Sequence, residues 1–292
     1  MYPSIRKAVI PAAGFGTRML PATKSVPKEM LPVVDRPVID YIVEEAFRSG
    51  IEHVVIVTGR MKSSIEDHFD RSVELDMSLR RNGKVSLADS LSSRTPGAGA
   101  ISFVRQQDAR GLGHAVWTAR HIIGDEPFAV LLPDMLMASD EPCLAGMVQL
   151  YGKHGGNVLA VEKCRPEDAH KFGIVSLHPT ADGPVVDALI EKPAPGTAPS
   201  NLFISGRYIL QPEIFGLLEN QAPGKGGEIQ LTDALIGLMK GSTIRPFVYS
   251  GSTFDCGSPP GFVNANLHMA LKRPEIASEL VFPAQAEARS AA

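Results

Sequence analysis

Cysteine is scarce in this chain. Three residues, Cys143, Cys164 and Cys256, make up an odd set with no C-x-x-C spacing among 292 residues, which excludes a disulfide framework and a cysteine-built zinc site. They read as reduced packing residues. Long apolar runs are also missing: none approaches the ~20 residues that a bilayer-spanning helix requires, and the start lacks a charged region followed by a hydrophobic stretch and a cleavage site. The expectation is a soluble, cytoplasmic chain with no membrane partner. Excess positive charge is absent too, with 29 Lys and Arg against 32 Asp and Glu and a formal net charge of -3, so a dedicated nucleic-acid binder is excluded as a class. An anionic ligand must then be met by a local cluster of bases. One stretch has the composition for it, since the first 28 residues hold Arg6, Lys7, Arg18, Lys24 and Lys28 and no acidic side chain. On charge alone, a solvated basic end is as good a reading.

With 44% hydrophobic residues, the chain can bury a large core. "KAVIPA" and "HVVIVT" (53 to 58) read as buried strands, short and rich in β-branched residues. Between them "PVIDYIVEEAFRSG" has Pro37 for a first helical turn, Gly50 for a stop, and Val38, Ile42, Val43, Ala46 and Phe47 on one face. Strand, long loop, helix and strand imply a parallel pair. The alternation continues through "ISFVRQ" (101 to 106), a helix over 113 to 123, "FAVLLPD" (128 to 134), a helix over about 141 to 153, and "NVLAVEKC" (157 to 164). The first half therefore reads as a doubly wound α/β sheet. After Phe172, "FGIVSL", "PVVDALIEKP" and "FISGRYIL" leave little room for helices and suggest added antiparallel strands. A helix over 228 to 240, the strand "TIRPFVYSG" and a helix over 261 to 272 follow. Residues 92 to 100 read as a mobile loop and "PAQAEARSAA" as a frayed end.

The chemistry starts at "PAAGFGTRMLPATKSVPKEMLP". Backbone N–H groups in a glycine turn after a strand can approach phosphate oxygens closely. Arg18 offers a planar fork and Lys28 a compact charge. The inferred ligand is a polyphosphate. A Walker loop would end in Gly-Lys-Ser/Thr, and a dinucleotide loop would carry glycine where Met19 stands and an acid at the end of "HVVIVTG"; neither pattern is met. A nicotinamide oxidoreductase is disfavoured on those grounds.

The stretches "PAAGFGTRMLPATKSVPKEMLP", "RGLGHAV", "LLPD", "EKP", "PSNLFISGRYIL", "GEIQLTDA" and "FDCGS" run in order from about residue 6 to 270. On them the chain resembles the bacterial UTP:glucose-1-phosphate uridylyltransferases, or UDP-glucose pyrophosphorylases, of the sugar-nucleotidyltransferase superfamily. The resemblance implies an α/β fold: a doubly wound, mostly parallel (mixed) sheet of the nucleotidyltransferase type with an added antiparallel sugar-binding part. It implies one catalytic domain over 1–272, with a nucleotide-binding part to about 155, a sugar-binding part over about 156–260, and a tail over 273–292. It also implies UTP and glucose 1-phosphate as substrates, Mg2+ as cofactor and a homo-oligomer, dimer or tetramer.

Residue by residue, the resemblance implies Ala12, Ala13, Gly14, Gly16 and Thr17 for the nucleotide, with Arg18 and Lys28 on its phosphates. Asp134 ends an apolar strand and Asp255 sits between a strand and a turn; alone, each is more often a turn cap, and the resemblance makes both ligands of Mg2+. Gln106 has the acceptor and donors for a uracil edge and Gly111 would leave the ring room, although a lone Gln at a strand end is more often a surface residue. Gly173 alone could be a strand bulge, and Glu191 with Lys192 a solvated pair. By resemblance Gly173 and Glu191 meet the sugar and Lys192 its phosphate. His114 and the single Trp117 read as structural. Another nucleotidyltransferase, using dTTP or a different hexose phosphate, and a non-catalytic nucleotide-sugar-binding regulator remain alternatives. The sequence departs from the family at Phe172, where Tyr is common, in the 92–100 segment and after Lys272.

Overall fold

A computed structural model describes residues 2–281; the end read above as frayed lies outside them. β1 (Lys7–Ala12) leads through three single 3-10 turns and the two-residue strands β2 (Pro32–Val33) and β3 (Arg36–Pro37) into helix α1 (Val38–Arg48). β4 (His53–Thr58) follows, then three helices, α2 (Ser63–Phe69), α3 (Val73–Arg81) and α4 (Val85–Arg94), before β5 (Ile101–Arg105). Helices α5 (Leu112–Thr118) and α6 (Arg120–Ile123), strands β6 (Phe128–Leu131) and β7 (Met135–Ala138), helix α7 (Cys143–His154) and β8 (Asn157–Lys163) complete the first half. The second half comprises β9 (Gly173–His178), β10 (Val185–Glu191), β11 (Leu202–Leu210), α8 (Ile214–Glu219), α9 (Leu231–Leu238), β12 (Ile244–Val248), β13 (Ser252–Asp255), α10 (Pro259–Leu271) and α11 (Pro274–Ala277).

Nine strands form one mixed sheet in the order β10-β9-β11-β6-β1-β4-β5, with β8 on β11 and β12 on β8. β6, β1, β4 and β5 are mutually parallel, while β11 runs against β6, β8 and β9. The two-residue side-chain period of the strands divides the core in two. Val9, Val55, Val57 and Val130 face α5, α8 and α9; Ala8, Ile10, Val54, Ile56 and Leu131 face α1, α2 and α7. Both faces are covered, so the central strands are apolar at nearly every position.

Three local expectations need correction. Residues 92–94 end α4 instead of belonging to a loop, and only the part after Arg94 is irregular. Pro37 precedes α1, paired with Pro32 in the small ribbon, because its ψ of 145° is extended. The helix over 113 to 123 is two pieces meeting at Ala119. Helices α2 to α4 and α8 were not foreseen. α3 has no buried residue and α4 only Ala88, so neither carries the apolar stripe that reveals a packed helix.

Candidate active site

The chain leaves β1 for β4 on one side and later returns to β6 on the other. The carboxyl end of β1 is therefore a topological switch point, where open α/β sheets bind ligands. Ala12 and Ala13 are buried there, and Gly14 and Thr17 are open to solvent. Gly16 has φ of 67° and starts the first 3-10 turn. A Cβ on it would stand 3.1 Å from Lys28 Cβ, so a side chain would be strained and would displace Lys28. The Thr23 hydroxyl closes the turn by donating to the Gly16 carbonyl at 2.8 Å.

The basic run separates into two groups. Arg6 and Lys7 lie at the opposite end of β1, tied to Glu52 and Glu126, and do not contribute to the site. Arg18 and Lys28 reach carboxylates more than 100 residues away in sequence: Arg18 Nη1 is 2.7 Å from Asp255 Oδ2, and Lys28 Nζ 2.6 Å from Asp134 Oδ2. The antiparallel ribbon of β7 and β13 sets Asp255 opposite Met135, which brings the two aspartates together. Burial acts against both ions of the Lys28–Asp134 pair, but their mutual attraction outweighs it, raising the Lys28 pKa and lowering that of Asp134. Beside them the backbone at Gly257 runs so close to these side chains that only glycine fits. A Cβ there would lie 2.5 Å from Asp134 Oδ2, 2.7 Å from Arg18 Nη2 and 3.0 Å from Asp255 Oδ1. Two aspartates brought together beside a phosphate-binding turn suit a hard divalent ion whose remaining ligands are phosphate oxygens and water.

Three supporting residues escaped the sequence reading. Arg207 is fully buried and donates to the carbonyls of Leu132 and Met135, which bracket Asp134, and to the Glu45 carboxylate. Its signal was a lone charge inside the apolar run "FISGRYIL". Beneath the glycine turn, Lys62 donates to both oxygens of Glu29, at 3.0 and 2.9 Å. Burial dominates this pair, pushing Glu29 up and Lys62 down, and the bond ties the loop after β4 to the turn carrying Lys28.

At the other side of β1, Gln106 is buried instead of lying on the surface; its Nε2 donates to the Gly111 carbonyl at 3.2 Å and stands 2.8 Å from His114 Nδ1. The space a Gly111 side chain would need is filled by Glu228 Cβ and the Ile229 backbone, 2.7 and 2.9 Å from its Cβ position. Gly111 thus has a packing reason of its own.

The residues expected to meet the sugar gather at the far edge of the sheet. Gly173 faces Glu191 in register across the β9–β10 hairpin. Thr232, at the start of α9, donates to Glu191 Oε2 at 2.7 Å, and a Cβ on Gly173 would crowd that oxygen at 3.2 Å. Lys192 has φ of 45°, is held by its N–H on the Phe172 carbonyl, and places Nζ 3.4 Å from Glu191 Oε1. A left-handed lysine is an uncommon conformation that clusters at functional sites. On β11, burial raises the Tyr208 pKa; the charges of Glu191 and Asp134 add to the effect and Arg207 opposes it.

A glycine turn at the switch point, with two cations and two carboxylates converging beside it, defines an α/β protein that handles phosphate esters. The chain belongs to the nucleotidyl transferase family, whose model matches residues 7–271. It is 48% identical to UTP--glucose-1-phosphate uridylyltransferase 2 of Staphylococcus saprophyticus, over 95% of this chain and 96% of that one. Among solved structures it is similar to UTP-bound UGPase from Acinetobacter baumannii, with 41% identity, a TM-score of 0.86, and 94% and 96% of the two chains covered. A UDP-glucose pyrophosphorylase complexed with UDP-glucose also matches, with 41% identity, a TM-score of 0.82, and 92% and 100% covered.

Proposed function

We propose that this enzyme joins UTP and glucose 1-phosphate to give UDP-glucose and pyrophosphate. The observation that carries the reading is the meeting of Arg18, Lys28, Asp134 and Asp255 beside the glycine turn, in a chain whose relatives bear the names of this activity. An oxygen of the sugar phosphate attacks the α-phosphorus of UTP. The new P–O bond forms as the bond to the bridging oxygen breaks, and pyrophosphate leaves with that electron pair. The nucleophile is already an anion, so no general base is required.

Catalysis then consists of positioning and charge neutralisation. The Ala12 to Thr17 turn cradles the triphosphate through its N–H groups, and Gln106 and Gly111 meet the base. Arg18 and Lys28 exchange their carboxylates for phosphate oxygens, steadying the leaving pyrophosphate. Asp134 and Asp255 would then hold Mg2+, which would supply positive charge between the two anionic substrates. Gly173 and Glu191 receive the sugar, and Lys192 draws in its phosphate. A homo-oligomer, dimer or tetramer, and a cytoplasmic setting complete the proposal, checked by light scattering and by cell fractionation.

Pyrophosphate release measured over a grid of four nucleoside triphosphates and several sugar 1-phosphates tests the reaction. The expected maximum is at UTP with glucose 1-phosphate. A maximum at dTTP or another hexose phosphate would assign a different member of the family, and binding without turnover would overturn the enzymatic reading.

A further inference from the structure

Resting on the reading of Gln106 as the base contact, we propose that His114 locks the Gln106 amide with its oxygen toward the nucleotide, so that the enzyme reads the N3–H of the pyrimidine ring and rejects cytosine. The side-chain amide of glutamine can present either a donor or an acceptor, and here its neighbours decide which. The Gly111 carbonyl can only accept, so the atom 3.2 Å from it must be the amide nitrogen. His114 Nδ1 lies 2.8 Å from that same nitrogen and must accept the second N–H. The imidazole is then neutral, with its proton on Nε2. Burial, followed by the nearby Arg110 charge, lowers the His114 pKa and favours that form.

The lock is rigid at both ends. The Gln106 N–H is held by the Thr58 carbonyl at 2.9 Å, and the residue is 5% exposed. The His114 ring stacks on Trp117 with centroids 5.6 Å apart and planes 24° from parallel, and the Arg120 guanidinium covers Trp117 at 3.4 Å. With both N–H bonds committed, Oε1 is the only group Gln106 has to offer; it has no hydrogen bond within the protein among the described residues and is not a sealed, orphaned atom. An acceptor there is satisfied by the N3–H of uracil or thymine and opposed by the N3 lone pair of cytosine. UTP and dTTP share this feature, so the lock separates both from CTP and not from each other.

The test compares His114→Phe, which keeps a flat ring on Trp117 but cannot accept, with His114→Asn, whose Oδ1 takes the place of Nδ1. Steady-state kinetics with UTP, CTP and dTTP are read on both variants and on Gln106→Ala, with melting temperatures as a folding control. His114→Phe is expected to reduce the UTP:CTP ratio of kcat/KM by about tenfold, the worth of one hydrogen bond, mainly through KM for UTP. The UTP:dTTP ratio should stay fixed, and His114→Asn should restore the wild-type preference. If Gln106→Ala collapses the UTP:CTP ratio but His114→Phe leaves it unchanged, the lock is wrong while the base contact stands. If neither variant moves the ratio, the base contact itself is misplaced. Should His114→Phe shift UTP:dTTP as much as UTP:CTP, the pocket has merely loosened and the lock is likewise overturned.

Discussion

The end proposed for the phosphates and the end proposed for the sugar are built in different ways. At the phosphate end every ion pair joins distant parts of the chain: Arg18 with Asp255, Lys28 with Asp134, and Arg207 with Glu45 behind them. At the sugar end Gly173, Glu191 and Lys192 come from one hairpin at the edge of the sheet, with Thr232 as the single helical addition. Charge must be fixed by the whole fold, because a displaced ion loses most of its Coulomb energy to water. Hydroxyl recognition needs only local hydrogen bonds. On the proposed roles, the edge hairpin holds the hydroxyl contacts and a single charge, Lys192, while the other charges of the site are fixed by the whole fold.

The sharpest way to break this comparison is to remove the buried charge behind the phosphate end. Arg207→Met leaves Glu45 buried without its cation and frees two carbonyls around Asp134, and such a change typically costs about 3–5 kcal/mol of stability. Denaturant midpoints read it; a loss below about 1 kcal/mol would show that Asp134 is held by other means. Next come Asp134→Asn and Asp255→Asn, which keep the shape and remove the charge. Each is expected to fold and to lose on the order of 1000-fold in turnover, and excess chelator should silence the wild type. Full activity in chelator would end the metal assignment.

How much of this was legible in sequence follows the same division. The strands of the central sheet showed in their β-branched runs, since burial on both faces leaves a continuous apolar signature. Arg18 and Lys28 stood out because glycines and an absence of acids surround them. Their pairing with Asp255 and Asp134 depends on the β7–β13 ribbon, which no local pattern announces. Arg6 and Lys7 looked equivalent to Arg18 until the strand put them at its other end. Glu29 and Lys62 were hidden for a related reason: an ion pair buried between two loops leaves no periodicity. The exposed helices α3 and α4 lack the one-sided stripe by which a helix is read, so they were missed where α1 was found.

At the sugar end the expected effects are smaller and separable. Lys192→Ala removes the ammonium from the attacking phosphate and should cost on the order of 100-fold in turnover, with calorimetric UTP affinity largely kept. Abolished UTP binding would move Lys192 into the nucleotide clamp. Glu191→Ala should raise KM for glucose 1-phosphate by about 10- to 100-fold, the worth of roughly 1.5–3 kcal/mol for hydrogen bonds to a charged group, and leave KM for UTP unchanged. The mildest change is Thr232→Val, which keeps the volume and takes away the hydroxyl that orients Glu191 Oε2 at 2.7 Å. One neutral donor contributes about 0.5–1.5 kcal/mol, so a rise of roughly tenfold or less in the same KM is expected. If Glu191 acts alone, Thr232→Val will be silent while Glu191→Ala is not. If the two act as one unit, adding Thr232→Val to Glu191→Ala will cost nothing further, and a double-mutant cycle in glucose 1-phosphate KM distinguishes the two cases.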